Sequence, residues 1–170
     1  MKLLIAVISL CLFFLATSCL NRNIAQQDKI NLKTTVFKNG KETLDLIKNK
    51  RLDTITINGH LTYQIKDNPT SDVIHFSYEK DMDQVEVDGG LREELLFEIP
   101  KGDVALALTD SNLQQTKMLF GRYCYCRGQN GIVKIKNGIL NLSRKKEKLK
   151  LNLEFQSKSI PQAFENISSK

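Results

Sequence analysis

The 170-residue chain has no tryptophan, two histidines, three prolines and four cysteines. Its one long apolar stretch runs from residue 3 to residue 16, too short to span a bilayer comfortably, so a polytopic membrane protein is excluded. No phosphate-cradling glycine loop, nucleophile elbow or zinc-protease helix can be read in it. At 41% hydrophobic and 26% charged residues, it is also neither collagen-like nor low-complexity nor wholly disordered. What remains is one ordinary globular domain. A chain of this length can bury roughly 68–70% of its unfolded surface, so it needs no disulfide to hold a core.

The start of the chain reads as a leader. Met1-Lys2 is positively charged, Leu3 to Ala16 is apolar but for Ser9, and Ala16-Thr17-Ser18 are small residues before Cys19. That is the grammar of a secretory signal, whose peptidase admits little but small side chains. Leu15-Ala16-Thr17-Ser18-Cys19 resembles the lipobox of bacterial lipoproteins, departing from it in having Ala16 where leucine is usual, with Leu15 one place early. The resemblance implies cleavage after residue 18, a diacylglycerol on the Cys19 thiol and an acylated new amino terminus, with no other cofactor. Two or more chains hold a protein durably on a bilayer. Leu20, rather than an aspartate, follows the cysteine, which by analogy with lipoprotein sorting favours the outer over the inner membrane. Residues 19–33 read as a lipidated polar tether, and residues 34–170 as a single domain.

Lys2 is the only charge in the leader, so its removal takes the net charge from +6 to +5. Most of the surplus is local: Arg144, Lys145, Lys146, Lys148 and Lys150 stand with one acid, Glu147, in a run of seven residues. Interleaved stacking aromatics and a reading helix are both missing from this run, so nucleic acid is not an expected partner. Lysines at a hairpin tip or edge strand discourage aggregation, and this is the simpler account. The sharper one is contact of these five residues with anionic lipid head groups or lipopolysaccharide phosphates.

Leu44 and Ile47 share a helical face, Glu42 lies in the first turn, and Lys48, Lys50 and Arg51 follow, so residues 41–50 are predicted to form a short helix. From Leu52 onward the period is two. Thr54-Ile55-Thr56-Ile57, Asn58-Gly59 and Leu61-Thr62-Tyr63-Gln64-Ile65 make a strand, a tight turn and a strand. The same pattern is read at Val133 to Lys136, Asn137-Gly138 and Ile139 to Leu142, and more loosely at Val85 to Val87 before Asp88-Gly89-Gly90. Further strands are predicted over residues 73–78, 95–99, 104–108, 117–126 and 149–155, with Pro69, Pro100 and Pro161 between runs. The fold class is mostly β: a single antiparallel β-sandwich or open barrel of about ten short strands with one short N-terminal helix. Phe120-Gly-Arg-Tyr-Cys-Tyr-Cys, Gly131-Ile-Val-Lys-Ile and Asn137-Gly-Ile-Leu-Asn-Leu resemble the closing strands of small β-sandwich or calycin-like lipoproteins of Bacteroidota, which share no single activity.

Cys124-Tyr125-Cys126 is the one unusual constellation in the domain. On a strand both thiols point to one face, where they could be buried and free, bridged, or ligands for zinc or copper(I). The parity shared with Met118 and Phe120 favours burial. His60 beside a turn and His75 on a strand read as solvent-facing, and Asp81, Asp83, Glu86 and Asp88 resemble a calcium loop only superficially, without its glycine and terminal glutamate. The function that follows is a lipid-anchored, non-enzymatic envelope protein that binds a protein, glycan or apolar ligand or plays a structural role. That class includes inhibitor or immunity proteins, because a tethered binder of this size suits neutralising a toxin. The alternative is envelope metal binding or thiol redox chemistry at Cys124 and Cys126.

Overall fold

The computed structural model describes residues 27–30, 39–81 and 90–169. It is mostly β and antiparallel throughout, in three sheets that form a sandwich with an added hairpin layer. The strands are β1 (Gln27–Lys29), β2 (Gly40–Ile47), β3 (Lys50–Ile57), β4 (His60–Asp67), β5 (Ser71–Lys80), β6 (Leu91–Pro100), β7 (Val104–Thr109), β8 (Leu119–Cys124), β9 (Gly131–Lys134), β10 (Gly138–Lys145), β11 (Lys148–Phe155) and β12 (Asn166–Ser169). The large sheet has the order β1-β2-β5-β6-β8-β9, the second β12-β11-β10-β7, and β3-β4 pair alone.

The main core lies between the large sheet and the four-stranded one. Leu44, Leu46, Ile74, Phe76, Leu95, Phe97 and Phe120 face Leu140, Leu142, Leu151, Leu153 and Phe155, each at alternate positions of its strand. Phe164, in the segment leading to β12, fills the centre: its ring lies 4.7 Å from that of Phe76, 5.5 Å from Phe155 and 5.8 Å from Phe120, all in edge-on geometries. The opposite face of the large sheet is covered by the β3–β4 hairpin, through a smaller cluster of Leu52, Val73 and Leu96 with Ile47 and Tyr63. Central strands β5 and β6 are therefore covered on both sides, which is why β6 reads Leu-Leu-Phe without alternation.

The predicted helix at residues 41–50 is instead strand β2 and the turn after it. Leu44 and Leu46 reach the main core while Ile47 packs on the hairpin side, a period-two division that tertiary contacts impose over helical spacing. Among the described residues the short helix is instead a 3-10 helix, Asp110–Thr116, which joins the two sheets. Asn58-Gly59 makes the expected tight hairpin, with φ of 50° and 79°. Asn137-Gly138 does not: β9 pairs with β8 and β10 with β7 and β11, so this dipeptide crosses between sheets. Gly138 serves close packing there, since a Cβ on it would lie 2.2 Å from the Glu154 carbonyl oxygen. Within the expected tether, β1 pairs with β2, and Ile30 packs against the core. Residues 85–89, with their looser hairpin reading, lie outside the described residues.

Candidate functional site

Two polar assemblies interrupt this apolar architecture. The first lies under the hairpin, where β6 places Glu94 on the outer face of the large sheet with its side chain 4% exposed. Its Oε1 accepts a hydrogen bond from Tyr63 of β4 at 2.9 Å and another from Tyr123 of β8, while the His75 imidazole of β5 stands 3.5 Å from Oε2. Arg92 lies over the Tyr123 ring, 4.4 Å from its centroid. Gly121 leaves room for this arrangement: a Cβ would meet the Tyr123 hydroxyl at 3.0 Å and Glu94 Cγ at 3.1 Å. Burial drives the Glu94 carboxyl upward, but the neighbouring His75 imidazole and the hydrogen bonds from Tyr123 and Tyr63 outweigh it and hold the group below its ordinary value. Burial also raises both tyrosine hydroxyls, reinforced by the adjacent carboxylate.

Glu93 points the other way, to the main core, where it meets Arg122 and accepts the Ala163 N–H at 2.8 Å. Its carboxyl is raised because burial outweighs those partners. Two adjacent acids, Glu93-Glu94, running straight into Leu95-Leu96-Phe97 were the sequence signal for this pair of buried sites. Their partners hold strands together: Tyr63 fastens the hairpin to the sheet, and Arg122 fastens β8 to β6. His75 is consequently half-buried against Glu94 rather than solvent-facing, while His60 is exposed as expected.

The second assembly is a cleft of about 700 Å3 at one end of the sandwich. It is bounded by β1, the end of β2, the loop between β6 and β7, and the tip of the β10–β11 hairpin. Leu46 and Leu149, each 6% exposed, and Ile30 supply apolar surface. Lys48 spans the opening, 2.6 Å from Asp28 and 3.3 Å from Glu147, and those two hydrogen bonds raise its ammonium above its ordinary value. At the back, Arg144 is buried against Asp72 at 2.5 Å and donates to the carbonyls of Gly102 and Pro100, both at 2.6 Å. Asp72 also accepts the Asn49 N–H at 2.8 Å.

Arg144 is therefore no part of a solvated basic patch; it is a corner tie between the sheets, since its alternation with Leu142 on β10 turns it inward. Lys145, Lys146, Lys148 and Lys150 are exposed, as a hairpin tip predicts, and all but Lys145 line the cleft. Lys101 joins them from the β6–β7 loop. Among the described residues, no carboxylate stands at ion-pair distance from Lys101, Lys146, Lys148 or Lys150.

Cys124 and Cys126 are joined in a disulfide, with Cα atoms 5.2 Å apart. Both are half-buried at the end of β8, and Tyr125 between them is 89% exposed. The parity that would have carried them into the core ends with the strand itself. Bridged sulfurs offer no thiolate to a metal, and among the described residues no group of three or more His, Cys, Asp or Glu side chains could hold one. Of the acidic stretch only Asp81 falls within the described residues, and Cys19 lies outside them. No protein-family model, curated protein or solved structure matches this chain.

Proposed function

We propose that this is a lipid-anchored protein of the bacterial cell envelope with a non-catalytic binding role, held on the membrane by an acylated Cys19, with the outer membrane its preferred address. The observation that carries the reading is the placement of the cleft. Strand β1 borders it and begins at Gln27, eight residues after Cys19. Eight residues reach at most about 29 Å when fully extended, so an anchor at Cys19 keeps the start of β1, beside the cleft, within that distance of the anchor point. The cleft volume also falls in the range of small-ligand sites. An envelope protein, a glycan and an apolar ligand all belong to this class of partner.

The test is the intact mass of protein extracted from membranes, beside that of a Cys19→Ala variant. The expected native mass corresponds to a chain beginning at Cys19 and carrying a diacylglyceryl group and an acyl chain, with the variant unmodified. A native chain without added lipid would remove the anchor and the reading with it.

One observation favours a second reading, thiol–disulfide exchange. The Cys124–Cys126 bridge is half-buried beside the exposed Tyr125 and closes a loop of only three residues, so opening it releases little of the fold. An incoming thiolate would bond to one sulfur and expel the other as a thiolate. Equilibration in glutathione buffers, followed by thiol titration, should then find the pair half reduced within the envelope range; a pair oxidised in every buffer would sink this reading.

A further inference from the structure

The cleft combines two chemistries that seldom meet on one surface. Its lining carries six cationic side chains and three acids. All three acids have partners: Asp28 and Glu147 are held by Lys48, and Asp72 by Arg144. The cations with no carboxylate partner among the described residues are Lys146, Lys148, Lys150 and Lys101, the last donating to Asn49 Oδ1 at 2.5 Å, on two separate segments that converge at the opening. Beside them the partly buried Ile30 and the exposed edges of Leu46 and Leu149 give the lining an apolar strip, with the Arg144–Asp72 pair at the back already satisfied. Lysine suits such a rim because its long stem can run along apolar surface while the ammonium stays in water.

A purely ionic partner would leave the apolar part of the lining wet, and a purely apolar one would leave four ammonium groups without a counter-charge. We propose that the cleft takes one anionic amphiphile, its phosphate or carboxylate head among Lys101, Lys146 and Lys148 and its acyl chain over Leu46, Ile30 and Leu149. The inference deepens the binding role proposed above and rests on it, because an anchor at Cys19 would hold the cleft beside a source of such molecules. Attraction between the rim and the head group acts within about a Debye length, roughly 8 Å at physiological salt, so the head must enter the opening to be bound.

The full chain carrying Cys19→Ala, titrated calorimetrically with dodecyl phosphate below its micelle concentration, tests the site without the anchor. One site per chain is expected, with affinity at least 100-fold above those of inorganic phosphate and of uncharged dodecyl maltoside. Lys101→Glu with Lys146→Glu should weaken it tenfold or more, whereas Lys134→Glu with Lys136→Glu, both exposed elsewhere, should not. Equal affinity for inorganic phosphate would reduce the site to an anion contact and overturn the proposal, as would equal affinity for dodecyl maltoside or no binding at all. Flotation with phosphatidylglycerol vesicles identifies the source: co-flotation means a lipid bound in place, and dodecyl phosphate binding without flotation means a free amphiphile. Because the anchor is absent from the titration and read separately by mass, failure of the site and failure of the anchor are distinguishable.

Discussion

Arg144 ties β10 to β5 and to the loop after β6, its guanidinium shared among Asp72, Pro100 and Gly102. Replacing it with alanine leaves Asp72 buried without its ion-pair partner, which should cost about 3–5 kcal/mol in urea denaturation, while Lys145→Ala, one residue away and exposed, should stay within about 0.5 kcal/mol. Glu93 and Glu94 should move acid stability in opposite directions. The folded-state value of Glu94 is depressed, so its stabilisation is present above the ordinary carboxylate value and lost as pH falls through the lower folded one. Glu94→Gln should therefore be less stable at pH 7, with the difference shrinking below about pH 4.5. Glu93 is raised, so the folded protein gains from it as pH falls through that raised value, and Glu93→Gln should steepen the acid loss. Denaturation series between pH 7 and pH 3 read both slopes. The sequence showed these residues as charges but not as buried ones, because Arg144 and Glu94 are placed inward by strand register, and register is set by partners far away in the chain.

At the scale of elements, alternation guided well in the four-stranded sheet but not at the outer end of the β3–β4 hairpin, where Thr54, Ile55, Thr56 and Ile57 are all exposed. Strand β11, Lys-Leu-Lys-Leu-Asn-Leu-Glu-Phe, is the clearest case, exposed and buried in strict turn. It failed for β2, where Leu44, Leu46 and Ile47 occupy both faces and so imitate a helical stripe. The two asparagine-glycine turns looked alike in sequence and serve different ends. At Gly59, φ is 79° and nothing lies within 4 Å of an added Cβ, so Gly59→Ala should cost only the backbone penalty, about 1 kcal/mol. At Gly138 a Cβ collides with the β11 backbone as well, so Gly138→Ala should cost several times more. Paired thermal melts of the two variants check the contrast. The cysteine pair was legible as a pair, but where β8 stops was not, and that decided its exposure.

Across the whole molecule, the layer order explains why the cleft was only partly legible. The basic run was plain in the sequence, but three of its lysines become a rim only because β1 and the β6–β7 loop arrive at the same end of the sandwich. The β3–β4 hairpin raises a different matter, that of time. It is inserted between β2 and β5, which pair directly, Ile47 opposite Val73. A two-stranded hairpin with a tight turn forms locally in about 1–10 μs. Once formed, it brings its own ends together, so joining β2 to β5 requires a much shorter effective loop, a saving on the order of 1 kcal/mol in closure entropy. The hairpin that later covers the sheet would thus act first as its template, and a weakened Asn58-Gly59 turn would be felt in the rate at which the large sheet assembles before it is felt in how long the finished sheet lasts.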